Sequence, residues 1–221
     1  MEYGVSVQIF RSRDEWLEAR KNTIGGSDAA AVLGVNPWMS NVDLWEIKTG
    51  RKAQKDVSNV PVVQYGTKAE APLRELFKLD HPEMNVMYEE NNLWSNPEYP
   101  FAHYSADGWL WEPETQKTGI LEIKTAEMLG QSSWLKWEGG VPLNYFAQLI
   151  QGLAVTGRDF AILKAQLKYW KDDRLFITTR EYRYDRDENT EANIKYLMTA
   201  EEQLWEGIQS GKRPPLILPQ I

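Results

Sequence analysis

Apolar and polar residues switch repeatedly between a helical and a strand period along the chain. Ser12-Arg13-Asp14-Glu15 has the form of a capping box and predicts a helix over 13–20. IGGSDAAAVLG follows, with Ser27 placed as the N-cap of an Ala-rich helix that Gly34 closes. Residues 40–49 predict a further helix stopped by Gly50, and 51–64 read as a loop. A helix over 67–79 comes next, with Glu70 in its first turn and Thr67 as its capping partner. Residues 85–93, 101–111 and 119–125 read as strands, and 144–156 as a helix ended by Gly157. Segments 160–170 and 175–184 alternate about Lys171-Asp172-Asp173-Arg174, which predicts a hairpin. A long amphipathic helix over 191–209 places Ile194, Leu197, Met198, Leu204, Trp205 and Ile208 on one side. In the Pro-rich tail, the apolar Leu216-Ile217-Leu218 is expected to dock on this chain or on a neighbour. Helix and strand signals mix without strict alternation and without repeats. The expected class is therefore α+β with a mixed sheet, as one domain over 1–221.

One strand breaks the apolar pattern. In GILEIKT, residues 119–125, Glu122 and Lys124 sit among apolar neighbours. Residues two apart share a face of a strand, so this acid and base project together while Leu121, Ile123 and Thr125 project oppositely. An Asp-Gly pair, Asp107-Gly108, lies upstream at the end of another strand signal, with enough chain between for a hairpin.

Composition narrows the field modestly. The chain has 221 residues, 42% apolar, with ten Trp and ten Tyr, enough for a large core. It has no Cys, which excludes disulfides and thiolate metal sites and suits a reducing cytoplasm. No secretory signal or membrane-spanning run is visible, so no membrane role is expected. The net charge of −7 is unevenly spread: residues 56–160 hold 7 Lys+Arg against 15 Asp+Glu, whereas 161–221 hold 10 against 10. Carboxylates gathered around a divalent cation make a protein acidic without preventing it from binding a polyanion, so the sign excludes nothing.

The residue types around GILEIKT suit phosphodiester cleavage. That reaction needs a hard cation to offset charge on the attacked phosphate and to acidify a water. Mg²⁺ takes a few carboxylate oxygens and leaves other positions to water and phosphate. Asp107 and Glu122, with the backbone carbonyl of Ile123, supply such oxygens, and Lys124 can orient the attacking water. Each residue also has a plain reading. Asp107-Gly108 makes a turn and Glu122–Lys124 a solvated ion pair. Ser27 and Glu70 cap helices, Arg20 ends one, Ser105 belongs to a turn and Gln148 faces solvent. His81 and His103 read as incidental. Lys164, Lys168, Arg180 and Arg183 form either a basic strip on the hairpin or a solvated sheet face.

The order of these pieces resembles the YqaJ-like viral recombinase family, also known as the phage lambda exonuclease family, within the PD-(D/E)xK nuclease superfamily. Trp16 and Arg20, then Gly26-Ser27-Asp28, open the match. Gly66 and Glu70 follow, then Ser105-x-Asp107-Gly108, Glu122-x-Lys124, and Tyr145 with Gln148. The agreement runs over about residues 14–155. The resemblance implies a restriction-endonuclease-like core with a mixed central sheet flanked by helices. It implies a Mg²⁺-dependent (or Mn²⁺-dependent) 5′→3′ exonuclease that degrades one strand of linear double-stranded DNA to 5′-mononucleotides by two-metal hydrolysis. Asp107, Glu122, Ile123 and Glu70 would hold metal, Lys124 would act on the water, and Gln148 would position it. Arg20, Ser27 and Ser105 would bind the 5′-phosphate, and Val63 would wedge the terminal base pair. The resemblance further implies a toroidal homotrimer, a single-strand annealing protein as partner, and a phage or prophage gene expressed in a bacterial cytoplasm. Three rival readings stand beside it: an endonuclease or other nuclease on the same core, a non-catalytic DNA-end-binding protein, and a generic α+β binding protein with chance motifs. A Cas4-like cluster enzyme is excluded because the chain has no Cys.

Overall fold

The computed structural model describes residues 4–218. Two sheets and a set of helices form the fold, an α+β arrangement as the hydrophobic pattern predicts. The larger sheet contains β3 (Asn85–Met87), β6 (Gly108–Glu112), β7 (Lys117–Glu127), β8 (Phe160–Lys171) and β9 (Arg174–Asp185), in the order β3-β6-β7-β8-β9. Only β7 and β8 pair in parallel; the other neighbours are antiparallel. The smaller sheet has the order β1-β4-β5-β2, from β1 (Ser6–Ile9), β4 (Asn92–Ser95), β5 (Ala102–Tyr104) and β2 (Ile24–Gly25). The helices are α1 (Arg13–Lys21), α2 (Ala29–Val32), α3 (Asn41–Lys48), α4 (Pro61–Asp80), α5 (Gln131–Leu135), α6 (Leu143–Thr156) and α7 (Glu188–Ser210).

A parallel pair needs a crossover, and α5 and α6 supply it between β7 and β8. The pair is buried on both faces, which explains its near-continuous apolar sequence. Ile120, Leu163 and Ala165 pack with Leu149, Ile150 and Leu153 of α6. Leu121, Ile123 and Ile162 pack on the other side with Leu73 and Phe77 of α4. A smaller cluster joins Ala31 and Val32 to Leu44 and Trp45 of α3 and to Leu204 and Ile208 of α7. Among the described residues, no helix is long and apolar enough to cross a membrane.

Local signals set several boundaries. Ser40 and Asp43 form a complete capping box at α3. At α1, Ser12 accepts from the Glu15 N–H as expected, but Glu15 returns its bond to Arg11 N–H. Asp172 and Asp173 take φ of 50° and 57°, the left-handed pair that a tight β8–β9 turn requires.

Other expectations need correction. Ser27 is not an N-cap: α2 starts at Ala29, preceded by Asp28, whose carboxylate accepts from Gly25 N–H (3.0 Å) and pairs with Lys48 (3.0 Å). The helix expected over 67–79 starts earlier, at Pro61, because proline's fixed φ suits a first turn; Thr67 and Glu70 therefore lie inside α4 and are no capping pair. The long helix starts at Glu188, where Asp187 accepts from Thr190 N–H. β1, β2 and α5 are too short or too irregular in pattern to be anticipated. The basic strip on the hairpin is spoken for: Lys164 is buried between Asp80 (2.8 Å) and Glu181 (2.6 Å), and Arg183 pairs with Glu112 (2.8 Å) and Asp185 (3.0 Å). The tail is tied to this chain through its backbone, where the Asn41 side chain donates to Pro215 O (2.8 Å) and accepts from Ile217 N–H (3.1 Å), while Leu216, Ile217 and Leu218 stay largely exposed.

Glu201 of α7 stands apart in this core. It is fully buried and neither carboxyl oxygen has a hydrogen-bond partner. Burial, with the like charge of Asp28 second, pushes its pKa well above the ordinary value, and Lys48 offsets only part. The folded state therefore holds this proton more tightly than the unfolded chain. Stability falls as pH rises from the unfolded-state value through the folded-state one. Glu201→Met should stabilise the protein by about 1–3 kcal/mol at pH 8, with a smaller gain near pH 4. Urea denaturation at the two pH values measures this; an equal or larger gain at pH 4 would contradict it.

Candidate active site

The segments read as single strands over 85–93 and 101–111 each divide between the two sheets. The second division matters most. β5 ends at Tyr104 in the small sheet, β6 begins at Gly108 in the large one, and Ser105-Ala106-Asp107 crosses between them. The crossing is clamped from three sides. Buried Asn92 accepts from Ala106 N–H (2.8 Å) and donates to Ala106 O (2.9 Å). Arg74 of α4 donates to the Asp107 carbonyl. The Asp107 carboxylate accepts from Ile123 N–H (2.8 Å). Gly108 is opposite Leu121, so Asp107 stands beside Glu122 just past the end of β6.

Glu122 is 1% exposed within β7. Its Oε2 accepts from the buried Tyr104 hydroxyl, and its Oε1 from Lys124 and from Gln148 of α6 (2.6 Å). Burial opposes the Lys124 ammonium, but the Glu122 and Asp107 carboxylates outweigh it and hold the pKa above the usual lysine value. Lys124 is therefore a charged donor. Burial, then repulsion from Glu122, pushes the Asp107 carboxyl well above the ordinary aspartate range, with Lys124 opposing. Glu70 is also raised, by burial first; Lys124 offsets part of this and Glu122 adds to it. Asp107, Glu122, Glu70, Lys124 and Gln148 all line one cavity of about 490 Å³.

Another side of this cavity is organised by Trp16. Its indole N–H donates to Asn92 O (3.0 Å) and Ser105 Oγ (3.1 Å), and the Arg20 guanidinium lies 4.2 Å from its ring. Arg20 reaches Ser27 Oγ at 3.4 Å. Arg20, Ser27 and Ser105 are thus brought together, and they line the same cavity as the carboxylates. Gly26 lets this loop approach closely, since a Cβ there would lie 2.8 Å from the Tyr104 ring and 3.3 Å from Gln148. Val63 is not part of this group. It sits on α4, 38% exposed, and lines a neighbouring cavity beyond Arg20. His103 is buried against Thr23 (2.7 Å) and held neutral, its pKa pushed down to about 3 by burial and then by Arg20 and Lys48. His81 bonds Glu83 and Glu181, and neither histidine lines the carboxylate cavity.

Among the described residues, no three His, Cys, Asp or Glu side chains form a ready metal cage. The donors still fit a hard divalent cation that takes one or two carboxylates and keeps its waters. Glu122 Oε1 is saturated by two donors, but Oε2 has one bond only, and Asp107 is bonded only through Oδ2. In a strand, one residue's N–H and C=O point to the same side. Ile123 N–H meets Asp107, so its carbonyl faces that side too, where β6 has already ended. A cation here would also offset the burial and, second to it, the Glu122 repulsion that raise Asp107.

Sequence reasoning missed Arg74, Tyr104 and Asn92. Arg74 had a signal, four residues after Glu70 and hence on the same helix face. Its guanidinium also stacks 3.5 Å from the Tyr88 ring. Tyr104 and Asn92 carry none, because their roles depend on how the two sheets meet.

A model of the YqaJ-like viral recombinase domain matches residues 15–159. The uncharacterized protein YqaJ of Bacillus subtilis (strain 168) is 28% identical over 212 residues, covering 93% of this chain and 59% of that protein. The chain thus spans about three-fifths of that relative's length. Among solved structures, an alkaline exonuclease (LHK-Exo) from Laribacter hongkongensis superposes with TM-score 0.62 at 21% identity, over 90% of this chain and 96% of that one. The same exonuclease in complex with dAMP gives 0.59 at 22% identity, with the same coverage. A phage related exonuclease from Haemophilus somnus 129PT gives 0.56 at 14%, over 86% and 96%. These likenesses identify the fold as restriction-endonuclease-like.

The contacts of Glu122 make its hydroxyl partner measurable. Tyr104→Phe keeps the ring against Gly26 but leaves a buried carboxylate oxygen without its donor. A loss of about 1.5–3 kcal/mol in urea-unfolding stability is expected at neutral pH. Unchanged stability would mean that the hydroxyl does not hold Glu122.

Proposed function

The chain belongs to the YqaJ-like viral recombinase family, and on that premise we propose that it is a divalent-cation-dependent 5′→3′ exonuclease on linear double-stranded DNA. One observation carries the reading: a single cavity joins Asp107, Glu122 and Lys124 to the Arg20–Ser27–Ser105 cluster. Carboxylate chemistry for hydrolysis and cationic, hydroxyl-bearing groups for a terminal phosphate thus lie within one small space.

Mg²⁺, or Mn²⁺ in its place, would be held by Asp107, Glu122 and the Ile123 carbonyl, with Glu70 for a second ion, and would offset phosphate charge and acidify water. The remaining work falls to the chain. Arg20 presents a fork of donors to the 5′-phosphate, with Ser27 and Ser105 adding hydroxyls. Trp16 holds Arg20 and Ser105 in place. Gripping that phosphate sets the distance from the strand end to the bond that is cut. Lys124, kept protonated by Glu122 and Asp107, donates to the attacking water or to the phosphate as negative charge builds. Gln148 fixes Glu122 Oε1 from the other side. Water adds at phosphorus and the 3′-oxygen leaves, releasing a 5′-mononucleotide. The shortened strand again begins with a 5′-phosphate, so each product is the next substrate.

The 3′ single-stranded overhang left behind suits recombination by strand annealing. Family membership supports a single-strand annealing protein as partner, a toroidal homotrimer that encircles duplex, and action in a bacterial cytoplasm from a phage or prophage gene. A ring would give processivity by topology, without the strong general attraction to DNA that a net charge of −7 disfavours.

The test is a linear duplex with a 5′-phosphate at one end and a 5′-hydroxyl at the other, digested with Mg²⁺. The wild type should shorten the phosphorylated strand from its 5′ end. Lys124→Ala should lose about 10²–10⁴-fold in rate, and Arg20→Ala should digest both ends alike. Cutting of closed circles, or activity indifferent to Lys124, would overturn the proposal.

A further inference from the structure

Three aromatic side chains line the carboxylate cavity, and two of them are already engaged. Tyr104 is fully buried and its hydroxyl donates to Glu122. Trp16 gives its indole N–H to Asn92 and Ser105, and the guanidinium groups of Arg20 (4.2 Å) and Arg13 (5.5 Å) lie over its ring. The third, Tyr88, is 36% exposed. The register of β3 on β6 sets Met87 opposite Trp109, so Tyr88, the next residue, comes level with Gly108 and hence beside Asp107. Like 105–107, the segment 88–91 carries the chain between the two sheets. Arg74 supports the Tyr88 ring: its guanidinium lies 3.5 Å from the ring centroid. Arg74 is itself only 7% exposed and is held by its bond to the Asp107 carbonyl. Among the described residues the ring has no second aromatic or cationic partner.

We propose that Tyr88 is the stacking platform for the base of the terminal nucleotide, the one about to be released. The inference rests on the nuclease reading above and concerns the part of the substrate that reading leaves without a partner. There the 5′-phosphate sits at Arg20, Ser27 and Ser105, and the phosphate on the 3′ side of the same nucleotide at Asp107 and Glu122. The sugar and base must then occupy the cavity itself, whose volume of about 490 Å³ is that of a small-ligand pocket. That space takes one nucleotide but not the complementary strand as well, so the base enters unpaired and has lost its stacking neighbours. An aromatic face restores a stacking contact. It also accepts every base, because each has a π-face, as an enzyme that removes nucleotides in succession requires. Arg74 adds register. One guanidinium supports the ring and holds the Asp107 backbone, so the base and the bond to be cut are placed relative to the same side chain.

The experiment uses two blunt 5′-phosphorylated duplexes that differ only at the terminal nucleotide, which in one is an abasic tetrahydrofuran unit. The rate of the first cut is measured with Mg²⁺, well below saturation. Wild type should cut the intact end about tenfold faster than the abasic one. Tyr88→Phe keeps the ring and should keep that ratio to within about twofold. Tyr88→Ala removes the π-face, and Tyr88→Leu removes it while keeping bulk; each should bring the ratio down to about two or less by slowing the intact end. A merely structural role for Tyr88 would slow both ends alike and leave the ratio unchanged. That result, or equal wild-type rates at the two ends, would overturn the inference. Failure of the wild type to cut either end would instead remove the nuclease reading, and this inference with it.

Discussion

A charged carboxylate buried in the middle of a strand is the constraint around which this molecule is organised. Glu122 lies in β7 with a parallel neighbour beside it and apolar layers on both faces of the sheet. An unpaired carboxylate there would cost several kcal/mol, and a buried ion pair returns that only when its remaining lone pairs are filled. Tyr104 comes from the small sheet, Lys124 from the same strand and Gln148 from the crossover helix. Each donor fixes the position of a different element. The small sheet must stand where Tyr104 reaches Glu122, and α6 must cross where Gln148 does. The close approach of Gly26 and Gly152 to the Tyr104 ring extends the same constraint to the loop that carries Ser27 and to the body of α6.

Asp107 answers to a second demand. It occupies the chain's passage from one sheet to the other, where no ladder can hold the backbone, so side chains do so instead. Asn92 binds Ala106 at both its N–H and its carbonyl, and Arg74 takes the Asp107 carbonyl. The carboxylate completes the passage by capping Ile123 N–H, the strand position that β6 leaves unpaired. The carboxylate proposed to bind a cation is therefore also the group that closes the end of a sheet. Burial, and then the Glu122 carboxylate, push its pKa well above the ordinary aspartate range, with Lys124 opposing.

The parts of this design visible in the sequence are those carried by local rules. Alternation in GILEIKT correctly puts Glu122 and Lys124 together because a strand's period is a property of the backbone. The αL glycines after α6 and α7, at φ of 63° and 69°, mark helix ends for the same kind of reason. Asp107, Glu70, Gln148, Arg20, Ser27 and Ser105 were assembled from their order along the chain, and all line one cavity. What local rules do not carry is the partition of strands between two sheets. A segment such as 101–111 looks continuous by propensity, and only the clamp at Ala106 divides it. Ser27 fails as a cap for a related reason: Asp28 takes that place in the loop, held by Lys48 from α3, a contact between residues far apart in sequence. Lys164 and Arg183 look like surface cations by alternation, yet acids on Asp80, Glu181 and Glu112 claim them.

The distribution of those claimed cations bears on how an acidic protein would hold DNA. Several cations on the hairpin and helices, among them Lys164, Arg183, Lys21 and Lys78, are paired with nearby acids, which reduces the attraction for a phosphate backbone passing over that surface. In the cavity the balance is different in kind. Arg20 is half-buried with its guanidinium over the Trp16 ring, which lowers the cost of holding it partly out of water. A terminal phosphate entering there meets preoriented donors in a partly desolvated space, where each bond is worth more than at the surface. Recognition on the proposed function would then be concentrated at the strand end, and internal phosphates would gain little. An acidic surface and selectivity for ends are, on this view, compatible: the net charge of −7 disfavours general attraction to a polyanion, and the Arg20 guanidinium over Trp16 stands where a single terminal phosphate can reach it.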